Sequence, residues 1–195
     1  MLTGAKPDAA RALKIIASYT PVDVVSTHYK QQFTDFITQH PDHFGNRYNY
    51  LLGMHGHLTA QAFVYHPGHN AIALLHHKKL NMWLGQGGHM EPEDGDFLAT
   101  ALREAFEEAG FTRLRLLQDA PIDLDAHGFP ARGDQPDHLH YDVRYLFETD
   151  DDTLTLDPTE GTNLEWVPCA EFRTRMGESF SNSRTIRAIE SRFCL

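Results

Sequence analysis

The segment from Gly87 to Phe111, GGHMEPEDGDFLATALREAFEEAGF, constrains this chain more than any other stretch of it. Its second half has helical spacing, and Glu104, Glu107 and Glu108 fall within a sector of roughly 100° on one face. Like charges one turn apart destabilise a helix, and only Arg103 lies beside these three. The carboxylates therefore indicate a compensating cation. Oxygen ligands of this charge suit hard divalent ions such as Mg²⁺ or Mn²⁺.

Both ends of this helix are marked in the sequence. Asp96 can cap its N-terminus, and Gly110 suits the left-handed residue that follows its last turn. The apolar residues opposite the carboxylates predict a buried face made of Leu98, Leu102, Ala105 and Ala109. Before the helix, Gly85, Gly87 and Gly88 predict a tightly turning loop whose carbonyl groups are free to approach a metal or a phosphate. The loop leads into the helix N-terminus, which favours anions.

These residues resemble the Nudix box, in which Gly, five residues, Glu and seven residues precede Arg-Glu-apolar-x-Glu-Glu-x-Gly-apolar. This chain has Gly88, five residues, Asp94 and eight residues, followed by REAFEEAGF from Arg103 to Phe111. Asp94 therefore stands where the family has Glu, and one residue is inserted before the helix. The alternative is a solvated acidic helix face, which would not require glycines at a fixed spacing before it.

The resemblance implies an α/β fold, namely the α/β/α sandwich of Nudix proteins with a mixed central sheet. We expect residues 51–195 to form this Nudix hydrolase domain and residues 1–50 to form a helical N-terminal extension. Two amphipathic helices are predicted in the extension, with apolar stripes at helical spacing. These stripes need a partner, which is either the chain's own domain or a second subunit, so a homodimer remains open.

The resemblance also implies a chemistry, because Nudix-like proteins hydrolyse a nucleoside diphosphate linked to another group. Glu104, Glu107, Glu108 and the Gly88 carbonyl would hold Mg²⁺ or Mn²⁺, and Arg103 would brace the carboxylates. Divalent ions neutralise a pyrophosphate and activate water for attack. Either Glu104 or Glu107 could be the general base, and the sequence leaves the two open.

Two other functions on the same scaffold are alternatives. One is a nucleotide-sensing or regulatory module that does not hydrolyse its ligand, and the other is a metal-dependent isomerase. The complete set of Glu104, Glu107 and Glu108 favours the hydrolase over the sensing module. We expect a small nucleotide as substrate, such as a nucleoside triphosphate or ADP-ribose, although several nucleotide classes fit this fold.

A second candidate site is a strand with strict alternation between His138 and Phe147. One face of this strand predicts substrate contacts through His138, His140, Asp142 and Arg144. His89 lies in the glycine loop, and Arg132 lies in the loop before the strand, so both are added as substrate-binding candidates. Alternation alone also fits an exposed strand face with no ligand, so both interpretations stay open.

Composition limits the remaining functions. The net charge of −10 argues against broad nucleic-acid binding. The isolated Cys169 and Cys194 lack CxxC spacing and predict a reducing compartment and no zinc site. No run approaches the ~20 apolar residues that a membrane span requires, and the N-terminus has no apolar signal region. We therefore expect a cytoplasmic protein that does not contact a membrane.

Overall fold

The computed structural model describes residues 8–42, 56–91, 93–131, 133, 136–179 and 181–193. Within these residues the chain forms five helices and eight strands. The helices are α1 (Ala9–Ser18), α2 (Val24–Gln39), α3 (Phe97–Ala109), α4 (Cys169–Met176) and α5 (Ser183–Phe193). The strands are β1 (Gly56–His66), β2 (Ala71–His77), β3 (Met82–Leu84), β4 (Gln86–His89), β5 (Arg115–Leu116), β6 (Asp123–Phe129), β7 (His138–Glu148) and β8 (Gly161–Pro168).

The sheet is mixed, and its centre is the long parallel pair of β1 and β7. On its other side, β1 pairs antiparallel with β2 near its C-terminal end and with β4 through its middle. Beyond them, β2 pairs with β3 and β8, while β5 and β6 pair with β7. The predicted mixed central sheet is confirmed by this pairing.

Alternation along β1 divides the interior into two layers. Leu58, Ala60 and Val64 point into a core that α1, α2 and α3 cover, whereas Phe63 points into a second core beneath α4 and α5. Because both faces of the sheet are covered by helices, the predicted α/β/α sandwich is confirmed.

The two N-terminal helices pack on the chain's own sheet. Phe33 and Phe36 of α2 contact the ring of Tyr141, with ring centroids 5.2 Å and 4.6 Å apart. Ile16 and Ile37 are fully buried in the same core. Full burial of each such apolar side chain contributes roughly 1.5–3 kcal/mol. Of the two partners expected for these helices, the structure therefore shows the chain's own domain. The division expected between residues 50 and 51 lies outside the described residues.

The glycine segment differs from the prediction, because residues 86–89 form strand β4 rather than a loop. The middle of β1 needs a hydrogen-bonding partner on this side, and β4 provides it from Thr59 to Ala62. A second difference concerns residues 126–137, which the sequence predicts to form a loop, whereas β6 runs to Phe129. None of the helices in the described part of the chain is long and apolar enough to cross a membrane.

Candidate functional site

Helix α3 carries the carboxylates, and its ends are capped as predicted. The Asp96 side chain accepts a hydrogen bond from the Ala99 amide, and Gly110 has the left-handed φ of 77°. The predicted buried face is wrong at Leu102, which is 38% exposed, whereas Glu108 is only 4% exposed. The helix is therefore turned so that part of its acidic face lies against the sheet.

Strand β4 is what covers this acidic face. The amide of Gly87 donates a hydrogen bond of 2.9 Å to Glu108 Oε2. A Cβ atom added to Gly88 would lie 2.5 Å from Glu104 Oε1. Glycine at residue 88 thus lets the strand backbone lie this close to the Glu104 carboxylate, which a side chain at this position would push aside.

Arg103 binds the carboxylates from the side. Its Nη1 donates to Glu104 Oε1 at 2.8 Å and to Glu107 Oε2 at 2.9 Å. Its Nε and Nη2 donate to the two oxygens of Asp94, at 2.8 Å and 2.9 Å. Nη2 also donates to the His89 carbonyl at 2.8 Å. One guanidinium therefore connects the helix, the strand and the loop between them.

The geometry gives Asp94 a positioning role. Besides Arg103, this carboxylate accepts hydrogen bonds from the Glu91 amide at 2.8 Å and from Thr100 Oγ1 at 2.9 Å. Its side chain is only 4% exposed. Although Asp94 replaces the Glu of the box and one residue is inserted before the helix, a carboxylate still lies where it can orient Arg103.

Burial changes the protonation of the two inner carboxylates. Removal from water raises the pKa of Glu104 to about 7, against the lowering effect of Arg103. Burial, together with the nearby negative charges of Glu104, Glu160 and Asp157, raises the pKa of Glu108 to about 8, against the lowering effect of the Gly87 amide. Glu107 differs, because its side chain is 51% exposed. The site therefore holds two buried carboxyl groups that a bound cation would ionise.

The other sheet face carries the predicted histidines. Nε2 atoms of His138 and His140 lie 3.2 Å apart, and the His140 ring lies 5.2 Å from that of His89. His57, which is not among the predicted site residues, joins them, with its ring 4.5 Å from that of His140. The signal for His57 is its alternation with core residues along β1, which becomes informative once the β1–β7 register pairs it with His140.

Asp142 and Arg144 lie deeper, in a network of buried ion pairs. Arg144 donates to Asp142 at 2.9 Å and to Thr185 Oγ1 at 2.8 Å, and it also bonds to Asp123 and Asp125 of β6. These contacts give Arg144 a structural role, and its predicted contact with substrate is not carried into the proposal below. Arg132 lies outside the described residues.

Comparisons with known proteins identify the fold. A solved Caenorhabditis elegans Ap4A hydrolase in a binary complex is 21% identical, with 69% of this chain and 95% of that chain covered and a TM-score of 0.55. The NUDIX domain of Shewanella oneidensis NrtR, complexed with ADP ribose, is 17% identical over 69% of this chain and 86% of that chain, with a TM-score of 0.51. The Escherichia coli dihydroneopterin triphosphate pyrophosphohydrolase is 14% identical over 70% of this chain and 94% of that chain, with a TM-score of 0.52.

At these identities the solved structures show the fold alone, and no curated protein sequence matches the chain. The family itself rests on a sequence model described as the NUDIX domain, which matches residues 56–188 and so covers more than half of the chain. The chain therefore belongs to the Nudix family, and the prediction of a Nudix-type pyrophosphohydrolase is confirmed.

Proposed function

We propose that this protein is a Mg²⁺- or Mn²⁺-dependent hydrolase that cleaves the pyrophosphate bond of a small nucleoside diphosphate derivative. The observation that carries this proposal is that α3 places Glu104 and Glu108 against the glycines of β4, while Arg103 bonds to both Glu104 and Glu107. Two carboxylates packed against a backbone without side chains are suited to a cation and a polyphosphate, and their burial is unfavourable without a compensating charge.

The donor set fits a hard divalent cation. Glu104, Glu107 and Glu108 offer only oxygen atoms, and the buried pair has raised pKa values of about 7 and about 8 because no positive charge compensates its burial fully. These three residues and the Gly88 carbonyl would hold Mg²⁺ or Mn²⁺. When bound, such an ion neutralises pyrophosphate charge and acidifies water for attack.

The chain's own groups have separable tasks. Arg103 fixes one oxygen of Glu104 and one of Glu107, so both carboxylates keep a defined direction before substrate arrives. Glu104 and Glu107 are the two candidates for general base. Glu107 is the more accessible to water, with half of its side chain exposed, whereas Glu104 is held under β4.

A small nucleotide is the substrate class that the observations favour. The solved relatives are named for Ap4A, ADP ribose and dihydroneopterin triphosphate. The net charge of −10 disfavours long polyanions, which bind mainly through phosphate neutralisation. The sequence predicts contacts to substrate from His89, His138 and His140, but their side chains lie on the sheet face opposite the carboxylates. A nucleoside triphosphate or ADP-ribose remains the predicted ligand.

The test is a screen of nucleoside triphosphates, dinucleoside polyphosphates and ADP-ribose with Mg²⁺ or Mn²⁺, in which both products are identified. We expect turnover of at least one of them and its loss in Glu108→Gln, with an unchanged circular dichroism spectrum. Glu171→Gln, on the exposed surface of α4, is the matched control. Tight nucleotide binding without any product would instead support the sensing module.

A further inference from the structure

We propose that His57, His138 and His140 form a Zn²⁺ site that is separate from the carboxylate site. One nitrogen from each of these side chains lies within 4.8 Å of the other two. Neutral imidazole is a preferred ligand of Zn²⁺ and of related transition metals, whereas Mg²⁺ prefers oxygen. The inference concerns a different ion and a different face of the sheet from the proposed hydrolase site.

The spacing of two of these ligands already matches a tetrahedral metal. Two nitrogens bound to one tetrahedral Zn²⁺, each at 2.0–2.1 Å, lie about 3.3 Å apart. The Nε2 atoms of His138 and His140 are 3.2 Å apart, a spacing that also allows a hydrogen bond between the two rings when no metal is bound. His57 lies opposite His140 in the β1–β7 register, so the sheet backbone fixes the third imidazole on the same face.

The ligand atom of His138 is set by its other nitrogen. His138 Nδ1 lies 2.8 Å from the Pro136 carbonyl oxygen, which can only accept a hydrogen bond, so Nδ1 carries the proton. In the neutral ring, Nε2 then presents a lone pair toward His140. A carbonyl that orients one ring nitrogen while the other faces a metal is the usual arrangement around histidine ligands.

The surroundings shield these rings from solvent. The exposed fraction of His57 is 2%, and the Phe129 ring lies 4.0 Å from the His140 ring. The three rings leave a fourth coordination position for water or an anion.

A second histidine group is not oriented and shielded in this way, and it serves as an internal comparison. His66, His69 and Asp152 also cluster, but the His69 amide donates to His66 Nδ1 at 3.2 Å. The Asp152 oxygen already lies 2.6 Å from His69 Nε2, within hydrogen-bond distance, and the side chains of His69 and Asp152 are 47% and 74% exposed. Two of the three groups are thus held together at the solvent-exposed surface, and we expect no tight metal binding there.

The experiment uses the full chain without a polyhistidine tag, stripped with a chelator and kept in excess Mg²⁺ to occupy the carboxylate site. Zn²⁺ is titrated against a chromogenic chelator, and Co²⁺ is used as a spectroscopic substitute. We expect one tight Zn²⁺ equivalent and the intense visible absorption of tetrahedral Co²⁺. Loss of a residue that only hydrogen-bonds to a metal ligand lowers metal affinity about 10- to 100-fold. Loss of a ligand itself in His138→Ala should therefore lower Zn²⁺ affinity at least about 100-fold.

His138 is chosen because it is only partly buried, and His138→Gln provides a second variant that retains a polar side chain. Controls for the other sites are Glu104→Gln and His69→Ala, both of which should bind Zn²⁺ like the wild type. The proposal is overturned if wild-type protein shows only weak Co²⁺ absorption of the octahedral type. It is also overturned if the tight Zn²⁺ equivalent survives in both His138 variants, or disappears in Glu104→Gln or His69→Ala.

Discussion

The raised pKa values of Glu104 and Glu108 make a quantitative prediction about the metal-free protein. Both values lie above the ordinary 4.5, so the folded state holds protons that the unfolded state has released. Such a group stabilises the fold fully below pH 4.5, and this contribution is lost as the pH rises through about 7 and about 8. Metal-free protein should therefore become less stable between pH 7 and pH 9.

The magnitude follows from linkage. Between pH 7 and pH 9, a folded pKa of about 8 for Glu108 corresponds to a loss of about 1.4 kcal/mol in the free energy of unfolding. Glu104, with a pKa of about 7, adds about 0.4 kcal/mol, so the pair accounts for about 2 kcal/mol. His140 has the opposite effect, because its pKa is lowered in the folded state and stability therefore rises with pH. This rise ends near pH 6.5, the ordinary pKa of histidine, so it lies outside the range from pH 7 to pH 9.

The assay is urea unfolding in a chelator at pH 7, 8 and 9, repeated with saturating Mg²⁺. A cation favours the ionised carboxylates, so Mg²⁺ should stabilise the protein more at pH 9 than at pH 7. Glu108→Gln should remove most of the pH dependence and most of the Mg²⁺ effect, while the surface variant Glu171→Gln should keep both. Metal-free stability that is constant or rising from pH 7 to pH 9 would refute the reasoning, as would an unchanged slope in Glu108→Gln.

Three further predictions concern individual contacts. Gly88→Ala should lower kcat at least about 10-fold, because its Cβ would displace the Glu104 carboxylate, whereas Gly128→Ala, which has open space around its Cβ, should match wild type in the same turnover assay. Arg103→Lys should lower kcat by about 10²-fold and reduce the urea midpoint, since lysine cannot reproduce the forked contacts; wild-type kcat would contradict this bracing role. Phe36→Ala should cost about 3–5 kcal/mol in urea unfolding while leaving Mg²⁺ affinity unchanged in calorimetry, and altered affinity would show that α2 contributes to the site.

Much of the helix at the site could be predicted from local chemistry. Asp96 and Gly110 are capping residues whose preference is set by their own backbone and neighbours, and both cap α3 as expected. The rotation of the helix was predicted wrongly, because apolar residues were assumed to mark the buried face. Leu102 faces solvent and Glu108 is buried, and hydrophobicity cannot reveal a carboxylate that is buried for its chemistry.

The strands near the site could not be predicted from local sequence, because their pairing depends on residues far away in the chain. Glycines have low strand preference, so β4 has no local signal, and it forms because β1 offers unpaired backbone groups beside it. The same holds for Arg144, whose alternation suggested a cleft. Its partners Asp123 and Asp125 come from β6, a neighbour that only the sheet pairing brings opposite Arg144.

Strand β4 connects the two proposed sites. Gly88 faces α3, where a side chain would collide with Glu104. The next residue, His89, points to the other face, where its ring lies 4.6 Å from that of His57. Its carbonyl meanwhile accepts from Arg103, so the backbone that borders the histidine group also holds the arginine that orients the carboxylates. The histidine group and the carboxylate group are therefore joined through the backbone and the side chain of one residue, His89.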